Sequence, residues 1–273
     1  MSDAPNTLPI VNRSGFPLQM HVQEVISRQS SKHGWHLFAH EHPWRHAEGH
    51  RGFIDLVAGS KGFWFSTVGE RASRATMIIE CKRIAGTWVF LAPPPLREGD
   101  GANLLFIQEG ARTPAWSLRP FGPRMAESEY CVMETGGKDD RRQLEALGAD
   151  LLESLEAIAQ SDQEAFKDKA NEYGSALYIP VLVTTAALQL CVFDQSAVSL
   201  KDGSVSFDGV KDQKSVPWVR FNKDLGFSGG VPRLEPVGRW GVRPPYQTVF
   251  VVSAERFGDF LERSAEGPVT LTR

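Results

Sequence analysis

Two apolar, β-branched runs in this chain carry acids where a buried strand tolerates them poorly. Asp55 interrupts Phe53-Ile54-Asp55-Leu56-Val57, and Ile78-Ile79-Glu80-Cys81-Lys82-Arg83 ends on an acid, a thiol and two cations. A buried carboxylate is costly unless it is paired or holds a metal. Strand side chains alternate faces with a period of two, so Glu80 and Lys82 share one face while Cys81 turns to the other with Ile79. A carboxylate and an ammonium side by side, joined by an Asp from a neighbouring strand, make a compact metal-and-base site. Hard oxygen ligands of this kind suit Mg²⁺ or Mn²⁺, which keep several waters for a substrate phosphate. The plainer alternative is a salt-bridged Glu80–Lys82 pair at a sheet edge.

The flanking pattern alternates helices and strands. Leu18, Val22, Val25 and Ile26 recur at helical spacing after Pro17, predicting a helix over 17–31 that Gly34 ends. Short strands are expected at 35–39, 52–58, 76–82 and 88–91, with a turn at 58–62 and a loop around His42-Pro43-Trp44-Arg45. The Pro- and Gly-rich stretch 93–137 reads as an irregular insertion with strand-like pieces at 104–107 and 130–133. Asp139-Asp140 caps a long helix whose apolar stripe is Leu144, Leu147, Leu151, Leu155 and Ile158, and a second helix is expected at 162–172. A nearly continuous apolar strand follows at 176–185, with Pro180 pointing to an edge or bulge. Further strands are expected at 188–193, 216–221 and 248–252, a hairpin around 201–204, and a last helix at 253–264.

The pairing of Phe53-Ile54-Asp55-Leu56 with Glu80-Cys81-Lys82 on the next long strand resembles the PD-(D/E)xK nuclease superfamily, with Ile54 standing where the family motif has proline. The element order agrees: helix, strand, strand with Asp, strand with the E-x-K tripeptide, long helix, buried strand. The resemblance implies an α/β, restriction-endonuclease-like αβββαβ core over 17–185, a mixed central sheet flanked by helices. The insertion at 93–137 and a β-rich C-terminal extension at 186–273 would pack on that core as one domain. It also implies that Asp55, Glu80 and Lys82 are catalytic, that Asp55 and Glu80 hold Mg²⁺, with Mn²⁺ as a substitute, and that Glu24 of the first helix completes the metal shell. The expected activity is hydrolysis of DNA phosphodiester bonds, in defence or repair. The alternative is an inactive module of the same fold that binds nucleic acid or a protein partner; a homodimer is also open.

Composition narrows the remaining classes. With 41% hydrophobic and 23% charged residues among 273, the chain has the make-up of a globular protein. A net charge of −3 argues against a generally basic nucleic-acid binder and leaves room for local basic faces. Arg51 and Arg83, close to the acidic runs, and Arg239, beside Trp240, are the candidate nucleic-acid contacts. All seven histidines lie between His21 and His50, in no standard zinc spacing; they read as polar loop residues beside a substrate groove or in solvent, with a histidine metal site at 36–50 as a weaker alternative. Three separated cysteines point to a reducing compartment. No long apolar window or leader pattern is found, so a cytoplasmic protein with no membrane partner is expected. No P-loop, dinucleotide-binding glycine motif or G-x-S-x-G elbow is present.

Overall fold

The structure, a computed structural model, describes residues 7–45, 49–61, 73–93, 102–108, 111–117, 125–134, 143–168, 175–223, 247–265 and 271–272. The chain is mixed α/β, mostly strands, built on two mixed sheets. Its helices are α1 (Leu8–Arg13), α2 (Phe16–Arg28), α3 (Ser30–His33), α4 (Gln143–Asp168) and α5 (Phe257–Ala265). The strands are β1 (Trp35–Arg45), β2 (Arg51–Lys61), β3 (Ser73–Lys82), β4 (Thr87–Ala92), β5 (Ala102–Gln108), β6 (Ala111–Ser117), β7 (Ala126–Ser128), β8 (Tyr130–Glu134), β9 (Ser175–Thr184), β10 (Ala187–Phe193), β11 (Val210–Ser215), β12 (Trp218–Lys223), β13 (Gln247–Ser253) and β14 (Leu271–Thr272).

The large sheet runs β1-β2-β3-β9-β13-β12-β7. β1, β2 and β3 are antiparallel neighbours, and β3 then pairs in parallel with β9 over their whole length. The other edge of β9 is shared, β5 taking its first half and β13 its second. Pro180 falls at the seam between them, after Tyr178 pairs Leu105 and before Val181 pairs Phe250. A proline without an N–H is therefore accommodated in the middle of the sheet, in unbroken register with β3, rather than at the edge or bulge that its sequence suggested. The smaller sheet, β11-β10-β4-β8, lies on one face of the large one.

Apolar cores fill both faces of the large sheet. On one, Leu18, Val22 and Ile26 of α2 and Phe257, Phe260 and Leu261 of α5 cover Met77, Ile79, Cys81, Ile179 and Val181. On the other, Leu151, Leu155 and Ile158 of α4 pack with Trp88, Phe90, Leu188 and Leu190 of the small sheet against Ile78, Tyr178 and Leu182. β9, buried on both faces, is apolar in every position from 176 to 183, as a doubly covered parallel strand must be. Polar ties run within and between the layers. The Trp35 indole donates to Ser264 Oγ at 2.8 Å, and fully buried Arg220 pairs with Glu127 at 2.8 Å. Arg74 pairs with Asp162, and the Tyr178 hydroxyl donates to the same carboxylate at 2.8 Å, so β3, β9 and α4 meet in one knot.

Several expectations are corrected. β1 does not stop at residue 39 but runs on through His42-Pro43-Trp44-Arg45 as the sheet's edge, where proline is tolerated. The turn expected at 58–62 is strand through Lys61: Gly59 is there because the ring of Phe38, the bulged residue of β1, lies across it and a side chain would collide. The two helices expected at 139–172 are one continuous helix over its described part, Gln143–Asp168. Over its described residues the stretch 93–137 holds four strands, two of them where strand-like pieces are expected at 104–107 and 130–133, and β4 leaves β3 to join the small sheet. Around 201–204 only a single bridge, Val198 with Val205, forms. The cap at Asp139-Asp140 lies outside the described residues.

Gly34, with φ at 70°, ends the α2–α3 segment as its sequence predicts, and His33 just before it is buried. Burial lowers the pKa of His33, and its Nδ1 accepts a 3.0 Å hydrogen bond from the Trp35 N–H, which needs the neutral ring. A base with a depressed folded pKa contributes stability that is present above its ordinary range and lost as pH falls through the folded value. Denaturant unfolding from pH 7.5 to 5 should therefore show the wild type losing stability faster than His33→Asn, which keeps an acceptor but does not titrate. Parallel curves would refute this.

Candidate active site

β2 and β3 stay paired from Lys61/Arg74 to Leu56/Ile79 and go no further. β3 continues along β9 for three more residues, to Lys82 opposite Thr184. Glu80, Cys81 and Lys82 are thus paired on one edge and open on the other, and Asp55 occupies the opening. Its Oδ2 accepts the Cys81 N–H at 2.7 Å, replacing a ladder bond by a side chain. Glu80 Oε1 and Lys82 Nζ sit 2.5 Å apart on the face that alternation assigned to them. Cys81 is buried in the opposite core, and burial first, then the nearby carboxylates, push its thiol well above its usual range, so it is no nucleophile.

Electrostatics tie these groups together. Burial raises the pKa of Asp55, with Cys81's N–H and Lys82 opposing and Glu41 adding to the rise. Burial also raises that of Glu80, and the charge of Asp55 raises it further. For Lys82, burial works to lower the pKa, but the hydrogen bond and charge of Glu80, then Asp55 and Asp150, outweigh it and the net shift is upward. Lys82 is therefore an ammonium at neutral pH. Two partly buried carboxylates share one cation, and this raises the energy of their charged forms.

Three further residues converge that sequence reasoning missed. Gln19 of α2 is buried, and its Nε2 donates to Glu41 Oε1 at 2.6 Å and to the Asp55 carbonyl at 3.1 Å. Asp150 of α4 acts electrostatically on Glu80 and Lys82. Gln19 was detectable: it lies beside Leu18, three before Val22, a polar residue on an apolar stripe. Asp150 sits at the flank of the α4 stripe, one before Leu151. Glu41 carries no sequence signal.

Glu24 does not reach this place. It faces solvent and pairs with Arg28 one turn on, because at about 100° per residue it falls opposite Val22. Arg51 is exposed at the start of β2, and Arg83 is exposed after β3, donating to the Asn12 carbonyl. Arg239 lies outside the described residues, as do Trp240 and His46. The other histidines do not gather. His36 and His40 are exposed along β1, and His50 Nδ1 lies 2.6 Å from Glu153 Oε1 of α4. Among the described residues, no three His, Cys, Asp or Glu side chains are grouped as a metal ion would need for an all-protein shell. Among them, too, no helix is long and apolar enough to cross a membrane.

Compared with protein-family models, with curated proteins and with solved structures, the chain finds no match.

Neutralising one of the two like charges should relieve the strain between them. Asp55→Asn, which keeps an acceptor for Cys81, is expected to stabilise the fold at pH 7 and low divalent-ion concentration by on the order of 1 kcal/mol. Thermal unfolding of the two proteins measures this, and a less stable variant would mean the Asp55 charge is well accommodated.

Proposed function

We propose that this chain is a metal-dependent nuclease of the PD-(D/E)xK type, hydrolysing phosphodiester bonds in DNA. The observation that carries the reading is the convergence of Asp55, Glu80 and Lys82 where β2 and β3 part, with Asp55 on the Cys81 N–H and Glu80 on Lys82. The element order supports it: α2, an antiparallel β1-β2-β3 unit, α4, then β9 parallel to β3 agrees with the αβββαβ core that the resemblance implies.

The donor set fits a hard divalent cation. Mg²⁺ keeps most of its waters and binds through one or two carboxylates, so Asp55 and Glu80 suffice in number. Their upward pKa shifts mark a place where positive charge is wanted. A bound Mg²⁺ or Mn²⁺ would supply Lewis-acid polarisation of a phosphoryl oxygen and a more acidic water. Lys82, held as an ammonium, cannot act as the base. It donates hydrogen bonds, orienting the attacking water or offsetting charge that develops on the phosphate. Glu80, then Asp55 and Asp150, hold its proton in place.

A second reading rests on the acidic surroundings. Glu41 and Asp150 stand beside the site and Glu153 beside Asp150, a setting that repels a polyanion without metal. A module of this fold that binds a protein partner and does not cleave is consistent with it.

With Mg²⁺ or Mn²⁺, the purified protein should cut DNA, and Lys82→Ala should reduce the rate at least about 100-fold. Calorimetry should show Mn²⁺ binding that Asp55→Asn and Glu80→Gln weaken. Mn²⁺ binding without cleavage of double- or single-stranded DNA or RNA would favour the second reading. Neither binding nor cleavage, or a Lys82→Ala variant as fast as wild type, would sink the first.

A further inference from the structure

The place where Asp55 sits is also a break in the β1–β2 ladder. His40 pairs with Leu56 and His42 with Ile54, but Glu41 and Asp55, which should face each other between them, do not pair. Residues two apart on a strand share a face. Here Leu56 belongs to the core under α2 and α5, whereas Ile54 belongs to the core under α4. The two-stranded ribbon thus turns over by half a period at this step. Glu41 absorbs the change: its φ is 46°, the one positive value among described non-glycine residues. That left-handed conformation is uphill for a side chain with a Cβ and persists only where neighbours over-determine it.

Gln19 is the neighbour that does so. It is buried on the apolar stripe of α2, where a leucine would pack as well, and both hydrogens of its amide are spent on this step: one on the Glu41 carboxylate, one on the Asp55 carbonyl. Its two bonds clasp the two residues that fail to pair. With the ribbon turned, the Asp55 carboxylate reaches the Cys81 N–H of β3. A regular ladder would pair Glu41 with Asp55 and return Ile54 to the face of Leu56.

We infer that Gln19 and Glu41 are positioning residues that hold Asp55 in its working orientation. Glu41 acts as the acceptor of the Gln19 hydrogen bond and through its backbone conformation, not through its charge. The consequence for cleavage rests on the nuclease reading above; the effect on Asp55 rests on the geometry alone.

The test uses the full chain and two readouts. Amide hydrogen exchange followed by NMR reports the Cys81 N–H, and Mn²⁺ calorimetry with DNA cleavage reports the site. Gln19→Leu and Glu41→Ala are expected to lose protection at the Cys81 amide and to weaken Mn²⁺ affinity or cleavage by about tenfold to a hundredfold, as loss of an outer hydrogen-bonding partner does. Glu41→Gln keeps an acceptor for Gln19 and should stay within a few-fold of wild type in both. A Glu41→Gln variant as impaired as Glu41→Ala would overturn the inference, because Glu41 would then act by charge. Full Cys81 protection in Gln19→Leu would overturn it as well. Should Gln19→Leu not fold, Glu41→Gly decides: it favours the left-handed backbone but removes the acceptor, so loss of Cys81 protection supports the clasp and retention refutes it. The exchange readout decides the inference even if the wild type cleaves nothing, a result that would count against the nuclease reading alone.

Discussion

The parallel pairing of β3 with β9 is the constraint on which the rest of the structure hangs. Ten successive residues of each strand are in register, from Ser73 opposite Ser175 to Lys82 opposite Thr184. β9 is covered on both faces and along both edges, so it has no freedom to slide: a one-residue slip would exchange its two apolar faces. That rigidity sets the height of Glu80 and Lys82. Because β9 follows β3 to its end while β2 turns away earlier, the last residues of β3 have one satisfied edge and one open edge. The candidate site is the open edge, furnished by a side chain from the departing strand.

The polar groups of the interior are arranged to support this. The Arg74–Asp162–Tyr178 knot pins α4 against β3 and β9 at one end of the sheet. Roughly three helical turns away, the same helix brings Asp150 beside Lys82. Asp55, Glu80 and Asp150 gather around a single lysine, and Glu41 adds its charge beside Asp55. Strain in the backbone at Glu41 and like charges around Asp55 and Lys82 coincide at one place.

How much of this was legible in the sequence follows from the range of each interaction. Alternation along a strand is local, so the shared face of Glu80 and Lys82 and the opposite burial of Cys81 could be read directly. So could the α2 and α4 stripes and the apolar β9. Strand ends are not legible locally because neighbours decide them: Gly59 looks like a turn until Phe38 lies on it, and Pro43 looks like a loop until it stands on a free edge. Pro180 looked marginal because nothing local reveals that two different strands meet beside it. In the site, Glu24 was the natural acid of the first helix by residue type, but helical phase turns it to solvent. Gln19 has the right phase and an unremarkable residue type. Glu41 could not be found, since its role depends on a ladder break between two strands and a backbone conformation that residue identity disfavours.

The β3–β9 register has a further meaning for how the chain reaches this state. β1, β2 and β3 follow one another closely and are built by local closures, whereas the strand that completes the sheet beside Glu80 lies roughly a hundred residues downstream, and such non-local contacts are entropically slow to form. The three-stranded unit would carry its apolar edge unpaired until the α4–β9 segment arrives. On a ribosome that interval lasts several seconds. Until β9 docks, Lys82 has no fixed height and the acidic cluster has no partner strand to hold it together. A chain interrupted before β9 therefore lacks the pairing that organises the candidate site.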